Sequence, residues 1–317
     1  MSDDPRSESR VRPRRNPIPN RINGVIVAAQ LAAIAACFAW LRSVESGWEL
    51  AALAGVFAIV MNSVYSTIHE AEHAMLFSHR RVNDGMGIAL ALFFPAPFHL
   101  IRQGHLGHHQ RNRSDDEAFD LIFPGENPAW KCAQFYGIVT GLYWAMVALS
   151  NAVVVLMPGT LVRRNFEFDR PSAAFMESLN PRYWTWIRLE GLAAVLLHVG
   201  IVVALGVPWW SYLAMYAGFG FAWSAMQYVH HFGTERHVLR GARNLWIFAP
   251  LDWIWLHHNW HLVHHENPTV PWIHLPRLGR KKEDSRGFLP WAYLRMWRGP
   301  RRAQDRVRNR YAGRIIH

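Results

Sequence analysis

His261, His264 and His265 stand at i, i+3 and i+4 in LHHNWHLVHH (256–265), a spacing that sets three imidazoles on one face of a helix. Two earlier stretches repeat the device: HEAEH, with His69 and His73 at i, i+4, and HLGHH, with His105, His108 and His109 at i, i+3, i+4. Imidazole is a borderline ligand that suits iron, zinc and copper. Eight histidines are too many for one tetrahedral or octahedral ion, so they suit two metals with positions left open for oxygen or substrate. Zinc satisfies the same donors, but its sites rarely use so many histidines. The only cysteines, Cys37 and Cys132, cannot build a disulfide framework, a CxxC pair or an iron–sulfur site. His79, His99, His198, His274 and His317 belong to no box, and His198, inside an apolar run, reads as a packed core residue.

The carboxylates near the boxes admit several roles. Glu70 and His73 have the Glu-x-x-His form of soluble di-iron bundles, but there is one copy, so Glu70 and Glu72 are expected to orient histidines or stay solvated. In SDDEAFD, Asp115, Asp116, Glu117 and Asp120 can bond imidazoles, pair with Arg111 and Arg113, or cap a helix after Ser114, and the last two roles are preferred. Glu266, directly after the third box, is a candidate acceptor for one of its rings.

The elements that position the boxes are apolar runs. Half of the 317 residues are hydrophobic, 16 are Trp, and the formal charge is +11. With long uncharged runs, that balance reads as the basic cytoplasmic flanks of a membrane protein and not as a nucleic-acid binder. Residues 1–22 form a polar, arginine-rich arm, expected to be disordered and cytoplasmic. The next run is too long for a signal-peptide core and lacks a small-residue cleavage site, so it reads as an uncleaved span. Spans are expected at about 24–41, 49–68, 189–207 and 209–229, each near the ~20 residues that cross ~30 Å of hydrocarbon. The run 85–101 is short and broken by Pro95 and Pro97, and is expected to be re-entrant or interfacial. The run 134–157 is read as a non-crossing or hairpin segment, because the arginine-bearing loop 158–188 belongs on the cytoplasmic side. Four spans then leave every box, and both termini, on that side. Residues 245–256 are read as an amphipathic run at the interface, and 276–317 as a basic tail that meets anionic lipid or an acidic electron carrier. No internal repeat is evident. The expected fold is therefore all-α, with about four transmembrane helices, interfacial or re-entrant helices, and a histidine-rich cytoplasmic cap over residues 23–275.

HEAEH, HLGHH and HLVHH, in that order and with paired spans between the second and third, resemble the histidine boxes of the membrane fatty acid desaturase and hydroxylase superfamily. The resemblance covers roughly 24–275. It implies a non-haem centre of two iron ions at the cytoplasmic face that activates O2 against unactivated C–H bonds of a lipid chain. Carried over by position, the ligands are His69, His73, His105, His108, His109, His261, His264 and His265. The family has a further histidine after the last span, here His230 or His231, and sometimes an asparagine whose place Gln227 takes. His257 and His258 are candidate supports for the third box, and His237 a weaker one. The substrate implied is a fatty acid, acyl-lipid or acyl-thioester. The chain shows no HPGG haem motif, cysteine cluster or dinucleotide fingerprint, so electrons come from a separate ferredoxin, rubredoxin or cytochrome b5 system with its reductase. Fatty acyl desaturation is the leading expectation; hydroxylation, terminal-alkene formation and ketone formation on carotenoids share the boxes. A non-enzymatic metal transporter is the competing class. It needs polar groups within its spans, where this chain offers little beyond Gln30, Asn62 and His198.

Overall fold

The computed structural model describes residues 16–281 and 285–316; residues 1–15, most of the arm expected to be disordered, lie outside the described residues, as do Lys282 and His317. Helix α1 (Asn20–Arg42) turns back into α2 (Gly47–Glu72), whose start is fixed by a capping box between Ser46 and Glu49. α2 runs unbroken from its apolar residues into the first box, so His69 lies in its last turn and His73 is its C-cap.

α3 (Arg80–Phe93) and α4 (Phe98–Arg111) meet at 102° across the Pro95–Pro97 break. Proline has no N–H to continue a helix, and the last carbonyls of α3 lose their intrahelical partners. Side chains from three other helices replace them. Leu92 O accepts from His198 Nε2 (2.9 Å), Phe93 O from Tyr216 OH (3.0 Å), Phe94 O from Trp144 Nε1 (3.0 Å), and Pro95 O from Asn151 Nδ2 (2.9 Å). His198 is thus more than the packed residue its surroundings suggest. The bend expected from the prolines is present, and it carries α4, with the second box, back to the end of α2.

After β1 (Leu121–Ile122), α5 (Pro128–Thr140) and α6 (Leu142–Leu156) form a second bent pair, at 92°. Their hinge is Gly141 at φ +95°, where a Cβ would come within 2.9 Å of the Phe221 backbone. A short α7 (Arg170–Ser178) precedes the hairpin of α8 (Trp184–Leu205) and α9 (Trp209–Val229), joined through Gly206 at φ +64° and Pro208. α9 packs along α2, with the Phe57 ring 4.7 Å from Tyr216 and 6.5 Å from Phe219. Among the described residues, three helices (α1, α2 and the one ending at Leu205) are long and apolar enough to cross a membrane, or up to five spans if each bent pair is one. α9 falls short of that measure because many of its apolar residues are Trp and Tyr, which count as weakly polar.

The remainder departs from the sequence expectation in three places. Residues 245–256, read as one amphipathic run, divide into β2 (Asn244–Trp246) and α10 (Ala249–Ile254), because Pro250 can only start a helix. Residues beyond 275 are packed into the fold and not a separate tail. α11 (His261–Glu266) leads to α12 (Leu275–Lys281), β3 (Arg286–Phe288) pairs in parallel with β2, α13 (Leu289–Met296) packs on α9, and β4 (Arg301–Arg302) pairs in parallel with β1. No helix follows Ser114; Arg113, at φ +58°, reverses the chain there. Short strands in an otherwise helical chain arise where these segments cross.

Candidate metal centre

The first box is delivered by the end of α2, the second by α4, the third by α11, and the segment after α9 supplies His230 and His231. Their ring nitrogens converge as two groups: His69, His73, His105, His109 and His264, and His108, His231, His261 and His265, with the nitrogens of each group within 4.8 Å of one another. In the first, His73 Nε2 lies 2.7 Å from His105 Nε2, His109 Nε2 3.1 Å from His105 Nε2, and His264 Nε2 3.0 Å from His109 Nε2. In the second, His231 Nε2 lies 3.0 Å from His261 Nε2, His265 Nε2 3.2 Å from His261 Nε2, and His108 Nε2 3.3 Å from His265 Nε2.

Both groups are enclosed, and burial dominates their titration. It pushes the pKa of His73 down to about 3, and those of His231, His261, His264 and His265 well below the ordinary imidazole range, with neighbouring charges and imidazoles adding to the effect. Those five rings are therefore neutral, each with one N–H and one lone pair. In His231 the N–H is spent on Nδ1, which donates to Gly241 O at 2.8 Å, and in His108 Nδ1 faces Glu117 Oε1 at 2.6 Å. The Nε2 lone pair of His231 then points at His261 Nε2 at 3.0 Å. Two lone pairs held this close repel unless a proton or a metal cation lies between them. Two nitrogens each ~2.0–2.1 Å from one ion stand about 2.9 Å apart at a right angle, which matches the spacing found here. The residues present fit two transition-metal ions.

Acidic residues after the second box take two of the roles open to them in the sequence, bonding an imidazole and pairing with Arg111 and Arg113. Glu117 bonds both His108 and Arg111 (Nε to Oε2, 3.1 Å). Burial raises its carboxyl pKa, but His108 and Arg111 outweigh that and hold it below the ordinary value. Glu72 is buried with no hydrogen-bond partner among the described residues, and its Oε2 lies 4.0 Å from His105 Nδ1. Asn112 Nδ2 donates to Gly241 O (3.3 Å), fixing the carbonyl that receives His231, while Arg113, Asp120 and Tyr228 form a buried network beneath the same loop. Asp115 and Asp116 pair with Arg236 and Arg170.

Other candidates lie outside the two groups. His230 has Nε2 3.2 Å from Asn259 Oδ1 and Nδ1 3.4 Å from Met226 O, so both nitrogens face protein oxygens. Gln227 accepts from Tyr65 OH (3.0 Å) and donates to Trp223 O (3.3 Å). Glu70 accepts from Trp272 N (3.1 Å) and is buried, not solvated. His257 faces Asp252 (3.3 Å), and His237 is exposed and accepts from the N–H groups of Leu239 and Arg240 (3.2 Å each). Glu266 ends α11, partly buried. His258 is the exception. Its ring lies 4.9 Å from His69 and 5.2 Å from His261, one from each group, and it lines a small cavity with Ser66, His69, Glu70, His261 and His264. Burial lowers its pKa to about 4.

Comparison with known proteins agrees with the residues. The family model for fatty acid desaturase matches residues 46–300. A protein from Arabidopsis thaliana named sphingolipid delta(4)-desaturase DES1-like is 24% identical over 262 residues, covering 79% of this chain and 70% of its own length. A Rattus norvegicus protein named sphingolipid delta(4)-desaturase/C4-monooxygenase DES2 is 23% identical over 265 residues, covering 82% of this chain and 73% of its own length.

Proposed function

The chain belongs to the fatty acid desaturase family, and from that premise we propose a di-iron enzyme that uses O2 to desaturate a fatty acyl chain. The coarser statement needs no proposal: the family and its relatives make this a membrane oxidoreductase of the desaturase or hydroxylase type. One observation carries the finer reading, the division of nine histidines into two nitrogen-facing groups. His69, His73, His105, His109 and His264 would hold one iron, and His108, His231, His261 and His265 the other. Iron bound there would activate dioxygen, which is the oxidant that C–H cleavage needs.

The protein's own part is to hold, orient and exclude. Glu117 and the Gly241 carbonyl fix the rings of His108 and His231, so their lone pairs aim inward. Burial keeps His73, His231, His261, His264 and His265 neutral and free to ligate. The cavity lined by Ser66, His258 and His261 lies between the two groups and is where the acyl C–H would be presented. The polar head of the lipid then stays on the histidine side while its tail remains among apolar helices. That arrangement has four crossings, by α1, α2, α8 and α9, with both bent pairs turning back, and places the histidine layer and both termini in the cytoplasm. Residues 16–19 lead into α1 from the cytoplasmic side, and the segments 276–281 and 285–316 complete the catalytic unit. Electrons come from a separate ferredoxin, rubredoxin or cytochrome b5 type of donor.

Hydroxylation is the second reading, favoured by the name of the rat relative, which joins a desaturase to a monooxygenase. Transport of metal is disfavoured by the position of both groups at helix ends. The test is to reconstitute the protein with iron and a matched donor and reductase, then follow dioxygen uptake and the mass of the lipid products. Loss of two hydrogens per dioxygen is expected. Gain of oxygen would give the second reading, and stoichiometric zinc with no dioxygen uptake would sink both.

A further inference from the structure

A group of exposed apolar side chains lies outside the long helices, on the elements that flank the third box. Phe248 is 69% exposed, Trp253 51%, Trp291 60% and Leu294 52%. The rings of Trp246 and Phe288, 4.5 Å apart, join two halves of this surface. The halves are built alike. β2–α10 and β3–α13 each run from a strand through Phe-x-Pro (248–250 and 288–290) into a short helix, and the two strands pair in parallel, so both helices leave in the same direction.

Contacts with the long helices give the depth of this surface. Ser63 Oγ donates to Ile254 O (2.6 Å), and Trp255 Nε1 donates to Ile59 O (3.1 Å). Ser63 and Ile59 precede His69 in α2 by six and ten residues, so they lie about 9 and 15 Å further along it at ~1.5 Å per residue. On the other half, the Tyr293 ring is 6.1 Å from Phe221, which is eight residues, or about 12 Å, inside the end of α9. Neither half therefore sits above the histidines in water; both reach back beside the apolar helices. Exposed arginines follow: Arg295 and Arg298 on and after α13, then Arg301 and Arg302.

Exposed Trp and Phe at one level, with cations beside them, match the boundary between acyl chains and anionic head groups. We propose that β2–α10 and β3–α13 form a foot immersed in the leaflet on the histidine side, with Arg295, Arg298, Arg301 and Arg302 at lipid phosphates. The proposal rests on the reading above that α2 and α9 cross the bilayer. It has a consequence for the site, because α10 passes through Leu256 and His257 directly into the third box. The foot sets the depth at which that box is held.

Nitroxide labels test this in the full chain, in a Cys37→Ala, Cys132→Ser background, reconstituted into vesicles of phosphatidylcholine and phosphatidylglycerol. Labels go at Phe248→Cys and Trp291→Cys, with Val203→Cys on exposed α8 surface and Leu239→Cys in the polar loop as references. Collision rates with dioxygen and with a neutral nickel chelate are read by electron paramagnetic resonance. Positions 248 and 291 should favour dioxygen, as 203 does, and 239 should favour nickel. Leaving out phosphatidylglycerol should lower the dioxygen preference at 291 and leave 203 unchanged; no change at 291 would overturn the role of the arginines. Nickel preference at 248 and 291, with 203 still favouring dioxygen, would overturn the foot alone. Nickel preference at 203 as well would overturn the spans on which it rests. Low collision rates with both reagents at 248 and 291 would also overturn it, since a second copy or another protein would then cover the surface.

Discussion

Two regions of this molecule bury polar groups, and they treat them in opposite ways. At the break between α3 and α4, four consecutive carbonyls, Leu92 to Pro95, each receive a donor, from His198, Tyr216, Trp144 and Asn151. At the ends of α2, α4 and α11, ring nitrogens face other ring nitrogens at 2.7–3.3 Å. A buried acceptor without a donor costs about 1–3 kcal/mol. The first region avoids that cost within the protein, and the second incurs it many times over unless something from outside intervenes. The lesson is that an active site can be recognised by incompleteness. The break is finished by the chain itself, whereas the histidine groups hold nitrogens at the spacing a metal cation would take.

That contrast can be broken or sharpened by substitution. The largest effect is expected at His261, whose Nε2 faces both His231 and His265. His261→Ala should abolish turnover and remove metal from its group; metal analysis giving two irons per chain with activity intact would end the di-iron reading. His231→Gln should behave in the same way, while His230→Gln should keep its metal, because His230 already has protein oxygens at both nitrogens. If the two variants lost iron equally, the assignment of His231 would fail.

Next comes Glu117→Gln, which should weaken metal retention or activity by roughly 10–100-fold, read as iron lost to a chelator, with thermal stability nearly unchanged. At the break the pattern should invert. His198→Phe leaves Leu92 O without its donor and should cost about 1–3 kcal/mol, a fall of roughly 2–4 °C in Tm per kcal/mol, while iron per folded chain stays at the native value. Iron loss without a fall in Tm would erase the distinction between the two regions. The smallest effect belongs to His237→Ala, a change at an exposed turn that should stay within about 0.5 kcal/mol and leave metal content alone.

The boxes were legible because helical spacing alone decides which rings share a face, and all eight of their histidines fall into the two groups. The choice between His230 and His231 was not, since adjacent residues at a helix end point apart and only the packing selects one. Glu117 was ambiguous for a related reason. It reaches His108 because Arg113 reverses the chain at φ +58°, and local sequence does not encode that reversal. The prolines announced the bend after α3, but its donors come from α6, α8 and α9, distant in sequence. The folded state of residues beyond 275 escaped detection because a high arginine content resembles a solvated tail. Some of those arginines instead lie over aromatic rings, as Arg286 does over Trp260 at 4.3 Å and Arg306 over Phe123 at 4.6 Å.

The segment after β4 also bears on how the enzyme matures. Asp115 and Val307 bond each other twice: Asp115 N donates to Val307 O (2.9 Å) and Val307 N to the Asp115 side chain at Oδ1 (2.8 Å), while Ile316 N donates to Ser178 O (3.0 Å). Asp115 lies two residues before the carboxylate that orients His108. During synthesis, the ribosome delivers the first two boxes long before it delivers these partners. The loop bearing Glu117 gains these bonds only once residue 307 has been made. A chain shortened before residue 307 would lack the hydrogen bonds that hold Asp115, two residues from the carboxylate that orients His108.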